Sequence, residues 1–367
     1  MKTKKFFVLV MTMGLMLSCD SVSDRSEYID ITSADSFFLI ADKLVAGMEP
    51  DESEWITLFE TQGYRKSIEE SFDEKGEFVR KAMNLAYNPA LATARDSLIA
   101  IPVAEIVSDW EALLIRVMLD NFIDMKENQL AIKKQLHAID GAKLVSEAEK
   151  RLKDFLVNPI DSLITPIPIS ILCMEPDALS HSDRIVWDAN LFYKQSEEDR
   201  VNNLAHEMFH AYRRHFTDES KARGLMQLLH LWQNEGIADL IDKKALSDLS
   251  SQFLRFGLPE SYVDAYNEVY NNTPLTISEL EKLTLSFLHG EIDEKQYNSG
   301  LDGFIQFGGH PNAYYMSTTI KNAGYEKEMI DTFADPVEFV KLYNKSVAPE
   351  NAFGNEFMNY LEKSGKF

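Results

Sequence analysis

His206-Glu207-Met208-Phe209-His210 sets two imidazoles four residues apart, with a carboxylate directly after the first. On a helix, residues four apart share a face, one turn above each other. Two imidazoles so placed can bind one zinc ion, and the carboxylate between them can act on a water held by the ion. A catalytic zinc takes three protein ligands and keeps one position open. Downstream lies Asn234-Glu235-Gly236-Ile237-Ala238-Asp239, and Glu235 is the natural third ligand. The chemistry this pattern would support is zinc-assisted hydrolysis. His206, His210 and Glu235 would be the ligands, and Glu207 the general base.

The elements that must carry these side chains can be read from their flanks. Ser196-Glu197-Glu198-Asp199 is a helix-start signal, and the helix should run to about Phe216. Val201, Leu204, Ala205, Met208 and Tyr212 form an apolar stripe at helical spacing, with His206 and His210 roughly opposite and Glu207 beside them. On the downstream helix Glu235 and Asp239 share one face, and Ile237, Leu240 and Ile241 take the other. Ligand histidines usually donate their second ring N–H to a carboxylate or carbonyl, which makes Asp239 and Asn234 candidates for that role. A tetrahedral intermediate also needs a donor to its oxyanion. Gly308-Gly309-His310-Pro311-Asn312-Ala313-Tyr314-Tyr315 offers His310, Tyr314 or Tyr315, of which the two tyrosines point about 100° apart on a helix. A turn followed by a packed aromatic helix accounts for the same residues equally well. His137, His181, His215, His230 and His289 lack a partner at ligand spacing and read as structural or surface.

The chain has 367 residues, 45% hydrophobic and 26% charged, with a net charge of −22. That charge disfavours a nucleic-acid partner. Lys2, Lys4 and Lys5 precede an apolar stretch, Phe6 to Leu17, which reads as a secretory signal too short to span a membrane. It ends Leu15-Met16-Leu17-Ser18-Cys19, which resembles a bacterial lipobox with Cys19 as the lipidated residue. The expectation is an exported lipoprotein anchored to the outer membrane, facing the periplasm or the cell surface. Residues 1–18 would be signal, 19–36 an acidic tether, 37–160 a helical region broken at Pro50 and Pro89, and 161–367 a catalytic region with C-terminal helices. Two β-prone stretches, about 168–174 and 184–192, form a small sheet ahead of the motif helix. Cys173, alone in an apolar run, reads as a buried small hydrophobe. The fold class is α+β, predominantly α.

His-Glu-x-x-His with Asn234-Glu235-x-x-x-Asp239 resembles the gluzincin metallopeptidases, and the second motif has the form seen in thermolysin-like members. The resemblance implies a zincin-like catalytic domain, a peptide or protein substrate, and a strand near 184–192 edging the substrate cleft. With the lipobox, the helical N-terminal half and the Gly-His-Pro segment, the chain looks most similar to a family of bacterial lipoproteins described as zinc-dependent peptidases. No Gly-x-Met-Glu-Asn segment of the kind that holds a free N-terminus is found, which favours endopeptidase action. A different reading is a non-catalytic binding lipoprotein with a structural or vestigial zinc site. Against that stands the absence of cysteine ligands, since structural zinc sites are usually closed and cysteine-rich.

Overall fold

The structure, a computed structural model, describes residues 29–364 except 73, 107–108, 158–166, 219–220, 244–248, 251 and 254–259. The signal, Cys19 and most of the expected tether lie outside the described residues. From Ile29 onward the tether expectation is corrected. Ile29–Asp30 form a strand, β1, and the first helix, α1, already starts at Thr32 (Thr32–Val45). The acidic composition hid Ser33 and Ala34, which are fully buried and begin the face that Phe37, Phe38 and Ala41 of the expected helical region continue into the core.

The N-terminal part continues through α2 (Glu52–Phe59), α3 (Gln62–Glu69), α4 (Lys75–Tyr87), α5 (Ala92–Ile99), α6 (Val103–Ile106), α7 (Trp110–Leu136) and α8 (Gly141–Leu152). Caps and prolines set the breaks. Asp51 and Glu54 form a capping box on α2, and Asn88 caps the turn that begins at Pro89. Strands β2 (Ile169–Leu172), β3 (Ala178–Ser180) and β4 (Ile185–Asp188) follow, then α9 (Ala189–Lys194), α10 (Glu197–Arg214) and α11 (Leu225–Asp242). The C-terminal part contains α12 (Glu260–Asn271), α13 (Thr273–Leu288), α14 (Glu294–Asp302), α15 (His310–Asn322), α16 (Glu326–Asp331), α17 (Pro336–Ser346) and α18 (Asn355–Ser364). The fold is therefore α+β and predominantly α. Among the described residues no helix is long and apolar enough to cross a membrane.

The sheet has the order β1-β2-β4-β3. β1, β2 and β4 run parallel, and β3 pairs antiparallel with β4, Leu179 opposite Val186. β2 and β4 are buried on both faces, as parallel strands covered by helices must be. The edges are thus β1 and β3, and neither falls within the two stretches expected from sequence. The strand expected to edge the cleft, 184–192, is instead internal over Ile185–Asp188 and turns into α9. A three-residue strand such as Ala-Leu-Ser carries too little periodicity to be seen in sequence.

The division near residue 160 is not a gap in the packing. β1 pairs with β2, α1 covers β2, and α8 lies along α10, so both parts share one core that includes Trp55, Trp187 and Trp232. The tightest helix crossing is α11 on α15. It depends on Gly236, where an added Cβ would lie 2.3 Å from Ser317 Oγ and 2.6 Å from the Ala313 carbonyl oxygen. The backbone oxygen cannot swing away, so the helices must separate. Gly236→Ala should therefore destabilise the fold by about 1–3 kcal/mol in urea unfolding. An unchanged midpoint would show that the crossing is looser than described.

The β3–β4 turn is tied to α3 by Glu70. Its carboxylate accepts from Lys66 at 2.8 Å, from the Ser182 N–H at 2.9 Å and from the Ser182 hydroxyl, and lies 3.2 Å from His181 Nδ1. Burial opposes the charge, but these donors hold the Glu70 pKa at about 2. Because the folded value lies below the unfolded one, the contribution is complete above about pH 4.5 and is lost as pH falls through about 2. After discounting for solvent screening, it is worth about 1 kcal/mol. Glu70→Gln should flatten the acid limb of the stability curve in that window and lower stability at neutral pH.

Candidate metal centre

Helix α10 begins at Ser196, whose hydroxyl accepts from the Asp199 N–H. Leu204, Ala205, Met208 and Tyr212 are buried on one side, and His206, Glu207 and His210 are buried on the other. The histidine face meets α11, not water. There α11 presents Asn234, Glu235, Asp239 and Asp242.

The two ring Nε2 atoms of His206 and His210 lie 2.9 Å apart. Each Nδ1 faces an oxygen acceptor. His206 Nδ1–H donates to Asp242 Oδ1 at 2.9 Å, and His210 Nδ1–H donates to Asn234 Oδ1 at 3.0 Å. With both protons on Nδ1, both Nε2 atoms turn lone pairs toward each other. Glu235 Oε2 closes the triangle, 3.7 Å from His206 Nε2 and 3.4 Å from His210 Nε2. That oxygen is buried and receives no hydrogen bond. Ligand atoms arranged tetrahedrally about 2.0–2.1 Å from one ion stand about 3.3 Å apart. Three electron-pair donors at this spacing fit a metal ion, and the residues are His206, His210 and Glu235.

Negative charge dominates the surroundings. Burial disfavours a charged His206, yet Asp242, Glu235 and Glu207 outweigh it and hold its pKa well above the usual value. Burial also opposes ionised Glu235, but the His210 and His310 rings keep its pKa well below the carboxylate range. Lys243 lies across the back, paired with Asp239 and 3.7 Å from Asp242 Oδ1. Burial opposes its charge too, and the two carboxylates still push its pKa up. Glu207 sits 4.0 Å from His206 Nε2. Burial raises its pKa to about 7, against the pull of both histidines and with a push from Asp177 and Glu235.

His310 opens α15, preceded by Phe307, Gly308 and Gly309, all with left-handed φ of 51°, 67° and 85°. A Cβ at Gly309 would also crowd Trp232 Cδ1 at 3.2 Å, so glycine is needed for both conformation and space. His310 Nδ1–H donates to Asp239 Oδ1 at 2.9 Å and lies 3.5 Å from Glu235 Oε2. Asp239 therefore serves His310, standing 3.8 Å from His206 Nδ1, and the partner of His206 is Asp242. The sequence reading stopped at Asp239 because the motif does. Glu235, Asp239 and Asp242 are spaced i, i+4, i+7, a signal for one shared face that was available.

The centre forms one wall of a cleft of about 960 Å³. His310, Tyr262 and Tyr266 line it, whereas Tyr314 and Tyr315 do not. The last two pack on Tyr270, with ring centroids 5.8 and 5.3 Å away. The structure thus places the Tyr314 and Tyr315 rings against Tyr270 and not among the residues that line the cleft. Tyr262 and Tyr266 carry no motif and were not singled out.

If the Nδ1–carboxylate contact fixes the His206 tautomer, Asp242→Asn should weaken binding of a divalent transition metal about 10–100-fold. Chelator competition on the folded variant measures this, and unchanged affinity would dissociate Asp242 from the centre.

The sequence profile of the family described as "putative zinc dependent peptidase (DUF5700)" matches residues 55–352, which contain every element of this centre. No curated protein and no solved structure matches the chain.

Proposed function

The chain belongs to that family, and from this premise we propose that it is a zinc peptidase of the gluzincin type, an exported, lipid-anchored endopeptidase. The observation that carries the reading is the pair of facing imidazole lone pairs with the unpartnered Glu235 oxygen beside them. His206, His210 and Glu235 would hold zinc, which when bound acts as a Lewis acid on the scissile carbonyl and lowers the pKa of water.

The remaining work falls to the chain's own groups. Glu207, with a pKa near 7, suits a base that takes a proton from the attacking water and returns it to the leaving amine. His310 is the donor for the developing oxyanion. Burial disfavours its charge, but Asp239 and Glu235 raise its pKa, so it is available as an imidazolium beside the cleft. Asp239 orients that ring through Nδ1.

Substrate binding would use β3. The ladder bonds from Asp188 N–H to Asp177 and from His181 N–H to Arg184 set the alternation. Leu179 therefore faces β4, while Ala178 and Ser180 turn outward along the cleft wall; the Ala178 N–H is taken by Asp177 Oδ1 at 2.9 Å and the Ser180 carbonyl by Arg214 at 3.0 Å, so the Ala178 carbonyl and the Ser180 N–H are the groups a peptide would meet. An extended peptide can pair there as an added strand, which suits cleavage within a chain. Export and a lipid on Cys19 are supported by the basic and apolar segment before Ser18-Cys19.

Glu207→Gln should retain one zinc per chain and lose turnover of a casein digest by about 10²–10⁴-fold. Metal analysis and chelator-sensitive hydrolysis are measured together. Full turnover in the variant would remove Glu207 as the base.

A further inference from the structure

The cleft reaches beyond the metal centre to α7. This helix carries two apolar faces. Ile115, Met118, Leu119 and Phe122 are buried in the core. Trp110, Leu113, Leu114 and Val117, at i, i+3, i+4 and i+7, line the cleft instead. Leu113 and Val117 are only half-buried and lie outside the hydrophobic core, and Trp110 is 54% exposed. Trp110 nevertheless packs edge-on to Phe72 at 5.2 Å and Phe78 at 5.6 Å between centroids. Phe72 extends the same wall. An ordered apolar stripe that opens on a cleft gains stability only when something apolar covers it.

Continuity and charge identify the occupant. The wall belongs to the same cleft as Glu207 and His310, so whatever covers it also reaches the reacting groups. Of the carboxylates that line the cleft outside the metal centre, Glu70 is paired with Lys66 and Glu175 with Lys75 at 2.6 Å. Asp177, on the approach to β3, has no cation partner among the described residues and only the Ala178 N–H at 2.9 Å. An acidic segment is repelled there, and the chain's charge of −22 adds to that.

We infer that α7 is the specificity wall of the peptidase: Trp110, Leu113 and Val117 hold one large apolar side chain of a neutral or basic peptide substrate. This rests on the peptidase reading and adds the substrate class. It also gives the N-terminal helices a part in the site that no metal motif requires.

The test uses quenched octapeptides in which each position in turn carries Phe, Leu, Ala or Glu. The zinc-loaded full chain should prefer Phe or Leu over Ala at one position relative to the cut by about 10–200-fold in kcat/KM, with Glu poorest. Val117→Asn and Leu113→Asn should collapse that ratio to a few fold while zinc content and thermal unfolding stay unchanged. They spare the packing that Trp110→Ala would disturb. In parallel, zinc-loaded Glu207→Gln is titrated with the same peptides, and binding should show the same preference. Cleavage without apolar preference, or an unchanged ratio in both wall variants, overturns the wall and leaves the peptidase standing. Apolar-selective binding that Val117→Asn abolishes, with no cleavage by the wild type, supports the wall and removes the peptidase reading.

Discussion

Two buried imidazole lone pairs 2.9 Å apart repel unless something positive lies between them. That constraint organises the rest of the centre. Both Nδ1 protons are committed to Asp242 and Asn234, so neither ring can turn its lone pair away without breaking a buried hydrogen bond. Glu235 adds an anion whose Oε2 receives no hydrogen bond. A metal ion relieves all three at once. The carboxylates of Asp242, Glu235 and Glu207, which hold the His206 pKa above its usual value, favour positive charge at the same place. Breaking either Nδ1 contact would free a ring to flip, so Asp242 and Asn234 preserve metal geometry without touching the metal.

Holding such a centre requires a scaffold that brings three helices close without relaxing. α10 and α11 face each other through the ligands, and α15 closes the third side with His310 at its first turn. Gly236, next to Glu235, lets α15 approach along the very stretch of α11 that carries the third ligand. The left-handed run before His310 turns the chain abruptly into α15. Phe307 adopts φ 51° despite its side chain, a conformation that costs about 1–2 kcal/mol. Its ring packs edge-on to Tyr262 at 5.0 Å, which ties that strain to a residue lining the cleft.

Much of this was legible in the residues themselves. The His-Glu-x-x-His spacing, the Ser196 cap and the Glu235–Asp239 face place α10 and α11 correctly, because helical period and capping are local properties. His310 and Asn234 were legible as candidates, and the structure brings both to the centre. What failed is non-local. The division of labour between Asp239 and Asp242 depends on where α15 inserts His310, which no spacing on α11 encodes. β3 is too short to register, so the edge strand was assigned to its internal neighbour. Tyr314 and Tyr315 stay open between two readings in sequence because glycine and aromatics near a histidine serve packing and chemistry alike. The Tyr270 rings that claim them lie more than forty residues upstream.

The same argument explains why α7 escaped notice. In sequence its second apolar stripe looks like more core, and a helix that is apolar on two faces is normally buried on both. Only the fold shows that one of those faces meets a cleft. A 27-residue helix packed on both α4 and α9 can hold Trp110 and Val117 at fixed positions relative to the sheet. Rigidity matters because apolar discrimination is worth only about 1–3 kcal/mol per group and is lost if the wall yields. The N-terminal helices and the metal helices therefore contribute different things to one cleft. On the peptidase reading, the metal helices would supply reactivity that any peptide bond would meet, and the N-terminal wall would supply the basis for choosing among peptides.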